Sequence, residues 1–207
     1  MTKDPYLFSA RVYDRLFESM NKGLRLAGLR LYRPAAGMNI LDVGCGTGVH
    51  LELYQRYQCN LFGLDSSAAM LEVAHRRLGN TAKLELGNAA RMSYEANMFD
   101  LILCMLTVHE MNPEMRTATI QEMKRVLKAG GRMIIIDFNP GPVQALQGWI
   151  PKIIITLSEL AAGREHYKSY RHFMSHGGLD SLFEMNGLKF EKKYVLAGGT
   201  FAACLAG

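Results

Sequence analysis

Hydrophobic positions along the chain follow two alternating periods. Short apolar runs typical of buried strands cover Asn39 to Val43, Asn60 to Asp65, Lys83 to Leu86 and Phe99 to Cys104. Stretches with apolar residues at helical spacing separate these runs. Strands that alternate with helices predict a mostly parallel sheet with helices on both faces.

The predicted helices between these strands have recognisable ends. The first is expected from Thr47 to Tyr57. The next two begin at residues suited to cap a helix, Ser66 and Asn112, and each ends near a glycine, Gly79 or Gly130.

The pattern changes in the last third of the chain. Arg132 to Phe138 is apolar enough for a central strand, and residues 143–187 are expected to be helical. Leu188 to Leu196 and Thr200 to Leu205 then predict two strands with no helix between them. Such closely spaced strands must pair antiparallel. The chain is therefore predicted to form a seven-stranded α/β sheet whose last strand is antiparallel.

Composition narrows the class of protein. The 207 residues, 49% hydrophobic and 21% charged, suit one globular domain over 1–207. No apolar run approaches the roughly 20 residues that span a bilayer, and the start lacks the layout of a secretory signal. Four scattered cysteines favour reduced thiols and a cytoplasmic location. The net charge of +5 permits an anionic substrate, but no dense basic block indicates nucleic acid.

The most informative local pattern is the glycine-rich stretch Ile40 to Gly48, followed about twenty residues later by Asp65. Glycines after a strand bring the backbone close to a ligand, and we expect free N–H groups there. A carboxylate ending the next strand can accept from two ribose hydroxyls. The dinucleotide fingerprint would need its third glycine where Val49 stands, whereas this chain has D-x-G-x-G-x-G starting at Asp42.

That pattern resembles motif I of the class I S-adenosylmethionine-dependent methyltransferases. The chain looks closest to the ubiquinone/menaquinone-biosynthesis C-methyltransferases and related small-molecule enzymes, over about residues 6–138. The resemblance implies a Rossmann-like methyltransferase sheet, S-adenosylmethionine as cofactor and S-adenosylhomocysteine as product. The cofactor-binding residues it implies are Asp42, Gly44, Cys45, Gly46, Gly48, Asp65, Ser66, Met70, Asn88, Ala89 and Met105.

Some of these roles have an alternative. Asp42 would orient the glycine loop and, through it or water, the cofactor's amino group. Met70 would border the adenine or simply belong to the core face of a helix. Asn88 stands where the family has an acid, so its amide oxygen would accept from the adenine amino group or only make a turn.

Methyl transfer mainly requires that the acceptor be positioned, and a base is needed only if the acceptor must lose a proton. His109, after the fourth strand, is the candidate base, with Glu110 as a neighbour that could orient it. The alternative is a histidine that shapes the pocket. Tyr13 lies in a stretch resembling the family's "A-x-x-Y-D" helix and would face the methyl group, or the helix would merely dock. No spacing typical of a metal site is found.

The resemblance also assigns roles to the two flanking regions. Residues 1–35 are expected to form a helical lid, and residues 143–187 a helical insertion that builds the acceptor pocket. The apolar part of that insertion favours a quinone-like or lipid-like acceptor and would also allow brief contact with a membrane surface. Nothing in the pattern indicates an oligomeric state.

The predicted function is methyl transfer from S-adenosylmethionine to a small molecule by in-line displacement. A non-catalytic relative that keeps the fold as a binding module is the first alternative, although the intact glycines and Asp65 count against it. A nucleic-acid methyltransferase is disfavoured, because Cys104-Met105-Leu106-Thr107 replaces the N-P-P-Y type of tetrapeptide.

Overall fold

The computed structural model describes residues 10–142 and 163–207, with side chains from residue 21 onward. Seven strands form one sheet in the order β3-β2-β1-β4-β5-β7-β6. Strand β7 is antiparallel to both of its neighbours, and the other pairs are parallel. The strands are β1 (Asn39–Val43), β2 (Asn60–Asp65), β3 (Ala82–Leu86), β4 (Phe99–Met105), β5 (Leu127–Phe138), β6 (Phe190–Leu196) and β7 (Phe201–Ala206). The predicted sheet is confirmed.

Helices precede the first strand and separate several of the others. They are α1 (Ala10–Leu31), α2 (Val49–Glu52), α3 (Ala68–Leu78), α4 (Pro113–Val126), α5 (Arg164–Ser175) and α6 (Gly178–Met185). Single 3₁₀ turns cover Gln55–Tyr57, Gly79–Thr81, Val108–Glu110 and Ala197–Gly199. Part of the predicted helical insertion, residues 143–162, lies outside the described residues, and the rest contains α5 and α6.

Two helix predictions need correction. The helix expected from Thr47 to Tyr57 is instead the four-residue α2 and a separate 3₁₀ turn. The reason is local: the N–H of Tyr54 bonds to the carbonyl of Leu51, three residues back, which tightens the turn and stops the helix. Helix α3 is capped by Ser67 rather than Ser66, because the Ser67 hydroxyl accepts from the N–H of Met70 at 3.1 Å.

The start of β5 also differs from the prediction. The strand begins at Leu127, directly after α4, instead of at Arg132. Leu127 pairs with Phe99 of β4, and regular pairing resumes only at Arg132. The chain bulges between them, where the Lys128 ammonium contacts the Asp100 carboxylate at 2.8 Å. Gly130, near which the preceding helix was predicted to end, therefore lies in a bulge inside the strand.

The central strands form the core and fix the place of the site. The run Met133 to Ile136 is fully buried, as its apolar pattern predicts. Strands β1, β2 and β4 run parallel, so their carboxyl ends meet at one edge of the sheet, where ligands of such folds bind. Among the described residues, no helix has both the length and the hydropathy needed to cross a bilayer.

Candidate active site

A cavity opens at that edge of the sheet. Its volume is about 990 Å³, counting the part open to solvent. Its wall combines the glycine loop after β1, the end of β2, the segment after β4 and one face of α1. The predicted cofactor residues that line it are Asp42, Gly44, Cys45, Gly46, Asp65, Ser66, Met70, Ala89 and Met105.

The glycine loop owes its shape to two close approaches. Gly44 has a φ of 73°, and a Cβ there would overlap the side chain of Thr107, which follows β4. Gly48, with a φ of 77°, would place a Cβ 2.8 Å from Leu78 of α3. At Gly46 a Cβ would meet no atom within 4 Å, so the backbone itself faces open space on the cavity wall. The loop is thus shaped to let a ligand lie against it.

The expectation of free N–H groups in this loop is wrong for three positions. The N–H groups of Gly44 and Cys45 both donate to the carbonyl of Leu64, at 2.8 and 3.1 Å. The N–H of Gly46 donates to the Asp65 carboxylate at 2.8 Å. These bonds attach the loop to β2. In addition, α2 is only one turn long, so its N-terminus contributes little positive charge.

Asp65 is the best-defined acidic group of the cavity. One carboxylate oxygen accepts from Gly46 and the other from the N–H of Ser67, both at 2.8 Å. Burial raises the pKa of this carboxyl above its ordinary value, while the two backbone N–H groups lower it and the nearby Asp42 raises it again. A half-buried carboxylate with fixed orientation is suited to accept from a pair of hydroxyls.

Residues at the predicted adenine end take separate places. Met70 and Ala89 are buried and line the cavity. Asn88 is exposed and is not part of the wall, and its amide oxygen accepts from the N–H of Ala90 at 2.8 Å. In the structure, the Asn88 side chain therefore stabilises a turn. Its contact with the adenine stays a prediction. Gly48 likewise lies behind the wall rather than on it.

The opposite end of the cavity is polar and buried. Among the described residues, one oxygen each of Asn21 and Asp42 and both ring nitrogens of His50 are buried without a hydrogen-bond partner. The His50 Nδ1 lies 3.7 Å from the Asp42 carboxylate, too far for a hydrogen bond. Arg25, one helical turn after Asn21, is the only Lys or Arg among the described wall residues. Buried polar groups without partners indicate that a ligand or water completes this end.

Sequence reasoning missed this polar end. His50 directly follows the glycine motif, which was a usable signal. Asn21 and Arg25 share one face of α1, but nothing in the sequence tells which face of that helix meets the loop.

Of the two predicted catalytic residues, His109 is the one whose side chain the structure describes, and it is not on the wall. Tyr13 lies in α1, but its side chain is outside the description. His109 is 2% exposed and sits behind the cavity, whereas its neighbour Glu110 lines it. The His109 Nδ1 is 2.7 Å from Oδ1 of Asp137, and Oδ2 of the same carboxylate accepts from the backbone N–H of His109 at 3.2 Å. Asp137, which sequence reasoning missed, therefore orients the ring, and the His109 base role stays a prediction.

Comparison with known proteins agrees with this geometry. The profile of a methyltransferase-domain family matches residues 40–131, from β1 to the bulge of β5. The demethylmenaquinone methyltransferase of Clavibacter sepedonicus is 31% identical over 63% of this chain, which spans 55% of that protein. The demethylmenaquinone methyltransferase of Desulfitobacterium hafniense (strain Y51) is 28% identical over 97% of this chain and 87% of its own length.

Residues 40–131 thus carry a methyltransferase domain, and the chain as a whole is similar in sequence to demethylmenaquinone methyltransferases. A structure of a SAM-dependent methyltransferase from Aquifex aeolicus matches this methyltransferase with a TM-score of 0.69, over 96% of this chain and 98% of that one. At 18% identity, that likeness shows the shared fold alone.

The methyltransferase has no reactive thiol in its cavity wall within the described residues. Cys45 is buried, and burial together with the carboxylates of Asp42 and Asp65 raises the pKa of its thiol well above the ordinary range. A protonated thiol is a poor nucleophile and a poor metal ligand. Cys45 therefore belongs to the packing of the loop.

Proposed function

We propose that this protein transfers the methyl group of S-adenosylmethionine to a small, largely apolar acceptor at the cavity described above. The observation that carries the proposal is the convergence of two features in one cavity. The glycine loop offers an open backbone surface, and the oriented carboxylate of Asp65 is bonded to that loop at Gly46.

In the proposed orientation, the ribose, the adenine and the methionine part of the cofactor each contact a different part of the cavity wall. The ribose hydroxyls donate to Asp65, and the adenine packs on Met70 and Ala89. The methionine end then lies over the glycine loop and reaches the buried polar group of Asp42 and His50. In this orientation the sulfonium faces the segment after β4.

Arg25 supplies the hydrogen-bond donors for the methionine carboxylate that the glycine loop lacks. The N–H groups of Gly44, Cys45 and Gly46 are already bonded to β2, so they are not the donors for a carboxylate. We therefore assign the methionine carboxylate to the Arg25 guanidinium, which can bind a carboxylate through two parallel hydrogen bonds.

The acceptor enters beside the methyl group. Met105, Leu106, Met111 and Met115 give that part of the wall an apolar and adaptable surface, while Glu110 adds one carboxylate. An apolar ring with a hydroxyl, such as a quinol, suits this combination. The two relatives described above are demethylmenaquinone methyltransferases, which favours the same class of acceptor.

The N-terminal helix is proposed to act as part of a lid. Asn21 and Arg25 of α1 line the cavity, so this helix already covers the methionine end. Binding of the cofactor would hold it there and exclude water from the reacting atoms.

A methyl-transfer assay tests the function. The protein is incubated with methyl-labelled S-adenosylmethionine and a panel of naphthoquinols, phenols and aminolipids, and labelled product and S-adenosylhomocysteine are both measured. We expect equal amounts of the two with a quinol or phenol, and much smaller amounts of both with Asp65→Ala at a cofactor concentration near the wild-type Kd. Cofactor binding without transfer to any member of the panel would contradict the acceptor class. Absence of cofactor binding would contradict the function itself.

A further inference from the structure

A cluster of three potential metal ligands lies beside the cavity. The turn Val108–Glu110 brings His109 and Glu110 together, and His166 of α5 packs against that turn. One ring nitrogen of each histidine and one carboxylate oxygen of Glu110 lie within 4.8 Å of one another. The His166 Nε2 is 3.8 Å from Glu110 Oε1. Two imidazoles and a carboxylate are a ligand set that binds Zn²⁺ and similar transition metals.

Asp137 gives the cluster the support that metal-binding histidines need. Its Oδ1 lies 2.7 Å from the His109 Nδ1 and also accepts from the N–H of Phe138 at 2.7 Å. The side chain of Asp137 is fully buried. Histidines that bind metals commonly donate their other N–H to such a carboxylate, which fixes the ring. Because Nδ1 is engaged by Asp137, a metal bound by His109 would take its Nε2.

Arg116 of α4 fixes the two segments that carry the ligands. Its Nε donates to the carbonyl of Val108 at 2.8 Å, and its Nη2 donates to Met111 at 2.7 Å and to Ser169 of α5 at 3.4 Å. One guanidinium therefore joins the turn to the helix. The aromatic ring of Phe138, 4.5 Å from the His109 ring, closes one side. Ligands held in this way are preorganised for binding.

We propose that His109, Glu110 and His166 bind one divalent transition-metal ion of the zinc type. Hard cations such as Mg²⁺ prefer oxygen ligands, so the two imidazoles select against them. The carboxylates of Glu110 and Asp137 balance the charge of the ion. Three protein ligands leave a tetrahedral site with one open position, as in catalytic zinc sites.

The fourth coordination position of the metal would face the acceptor side of the cavity. Glu110 lines the cavity, so the ion would lie at the boundary between the cluster and the acceptor side of the cavity. There it would hold water or an acceptor oxygen and favour loss of that oxygen's proton. Only this acceptor role rests on the proposed methyl transfer, since metal binding itself does not.

The proposal gives His109 a different role from the base predicted above. A ring whose Nε2 binds the metal and whose Nδ1 bonds to Asp137 has no nitrogen left to accept a proton. The two roles exclude one another, and metal binding decides between them.

The test uses the full chain, stripped of metal with a chelator and free of any histidine tag. Zn²⁺ binding is measured by calorimetry, and Co²⁺ binding by the visible absorption bands of tetrahedral cobalt. We expect one equivalent of each metal to bind to the wild type. His166→Ala and Glu110→Gln remove a ligand at partly exposed positions, so they should keep the fold and weaken binding by about tenfold or more. Asp137→Asn should weaken it by about 10–100-fold.

The matched control is His75→Ala, which removes an exposed histidine of α3 far from the cluster in sequence. It should bind both metals as the wild type does. Lack of binding by the wild type, or equal affinity of His166→Ala and His75→Ala, would overturn the proposal. Binding of S-adenosylhomocysteine, measured on the same samples, reports separately on the proposed function.

Discussion

The two sides of the cavity are built in different ways. On the cofactor side, the glycine loop and the end of β2 come from two short stretches of sequence, and backbone hydrogen bonds join them directly. On the acceptor side, Glu110 lines the cavity, and His166, from a segment far along the chain, lies beside it. Their arrangement depends on side chains such as Arg116 and Asp137. The cofactor side is thus set by local geometry, and the acceptor side by tertiary packing.

If the two sides are independent, a change on one side should leave the other intact. The largest effect is expected from His109→Ala. Whether His109 is a base or a metal ligand, its loss should lower turnover by about 10²–10⁴-fold while the affinity for S-adenosylhomocysteine stays nearly unchanged. Initial rates at saturating acceptor and calorimetric titration measure the two quantities. Turnover within about threefold of the wild type would remove His109 from the chemistry.

Gly44→Ala should instead damage the cofactor side through the backbone. The left-handed φ costs about 1–2 kcal/mol for alanine, and the contact of its Cβ with Thr107 adds about 1–3 kcal/mol. Gly37→Ala is the matched control, because Gly37 has a φ of 81° but no atom within 4 Å of the added Cβ. Urea unfolding should show the larger loss at Gly44. Equal losses would mean that the close approach to Thr107 has no energetic consequence.

Asp65→Ala should weaken binding of S-adenosylmethionine by about 1.5–3 kcal/mol, or roughly ten- to a hundredfold. It removes the acceptor of two charge-assisted hydrogen bonds from the ribose. Asp100→Ala serves as a control, because this carboxylate lies at the other end of the sheet, where it bonds to Lys128 and Asn39. Calorimetry on both variants should show a loss only for Asp65, and unchanged affinity in folded Asp65→Ala would contradict the ribose assignment.

Arg25→Gln tests whether α1 belongs to the cofactor side or to the acceptor side. If Arg25 binds the methionine carboxylate, cofactor affinity should fall by about tenfold, as expected for a lost charged hydrogen bond. Arg30→Gln changes an exposed arginine of the same helix and should have no effect. A rise in the acceptor KM with unchanged cofactor affinity would place Arg25 on the acceptor side instead.

The smallest effect is on the pH dependence of cofactor binding. Burial raises the pKa of Asp65 in the free protein, and ribose hydroxyls that donate to the ionised form should lower it in the complex. Affinity should therefore be constant above the raised pKa and fall as the pH drops through it, by at most about tenfold per pH unit. Titrations at decreasing pH should show this fall in the wild type and not in Asp65→Asn. The same slope in both proteins would assign it to another group.

The contrast between the two sides also explains what the sequence could predict. Strands, helix caps such as Asn112, the glycine loop and Asp65 depend on neighbours in the chain, and the structure contains them. The hydrogen bonds of Gly44 and Cys45 to Leu64 could not be foreseen, because they depend on how β1 lies beside β2. The Asp137 partner of His109 is 28 residues away, and no local spacing identifies it.

The central claim is that S-adenosylmethionine binds at the carboxyl ends of β1 and β2 with its ribose on Asp65. A crystal structure of the protein with S-adenosylhomocysteine tests this most directly. We expect both ribose hydroxyls within hydrogen-bond distance of the Asp65 carboxylate, the adenine against Met70 and Ala89, and the amino-acid end over the glycine loop towards Arg25. Product bound in the reverse orientation, or away from Asp65, would contradict the claim.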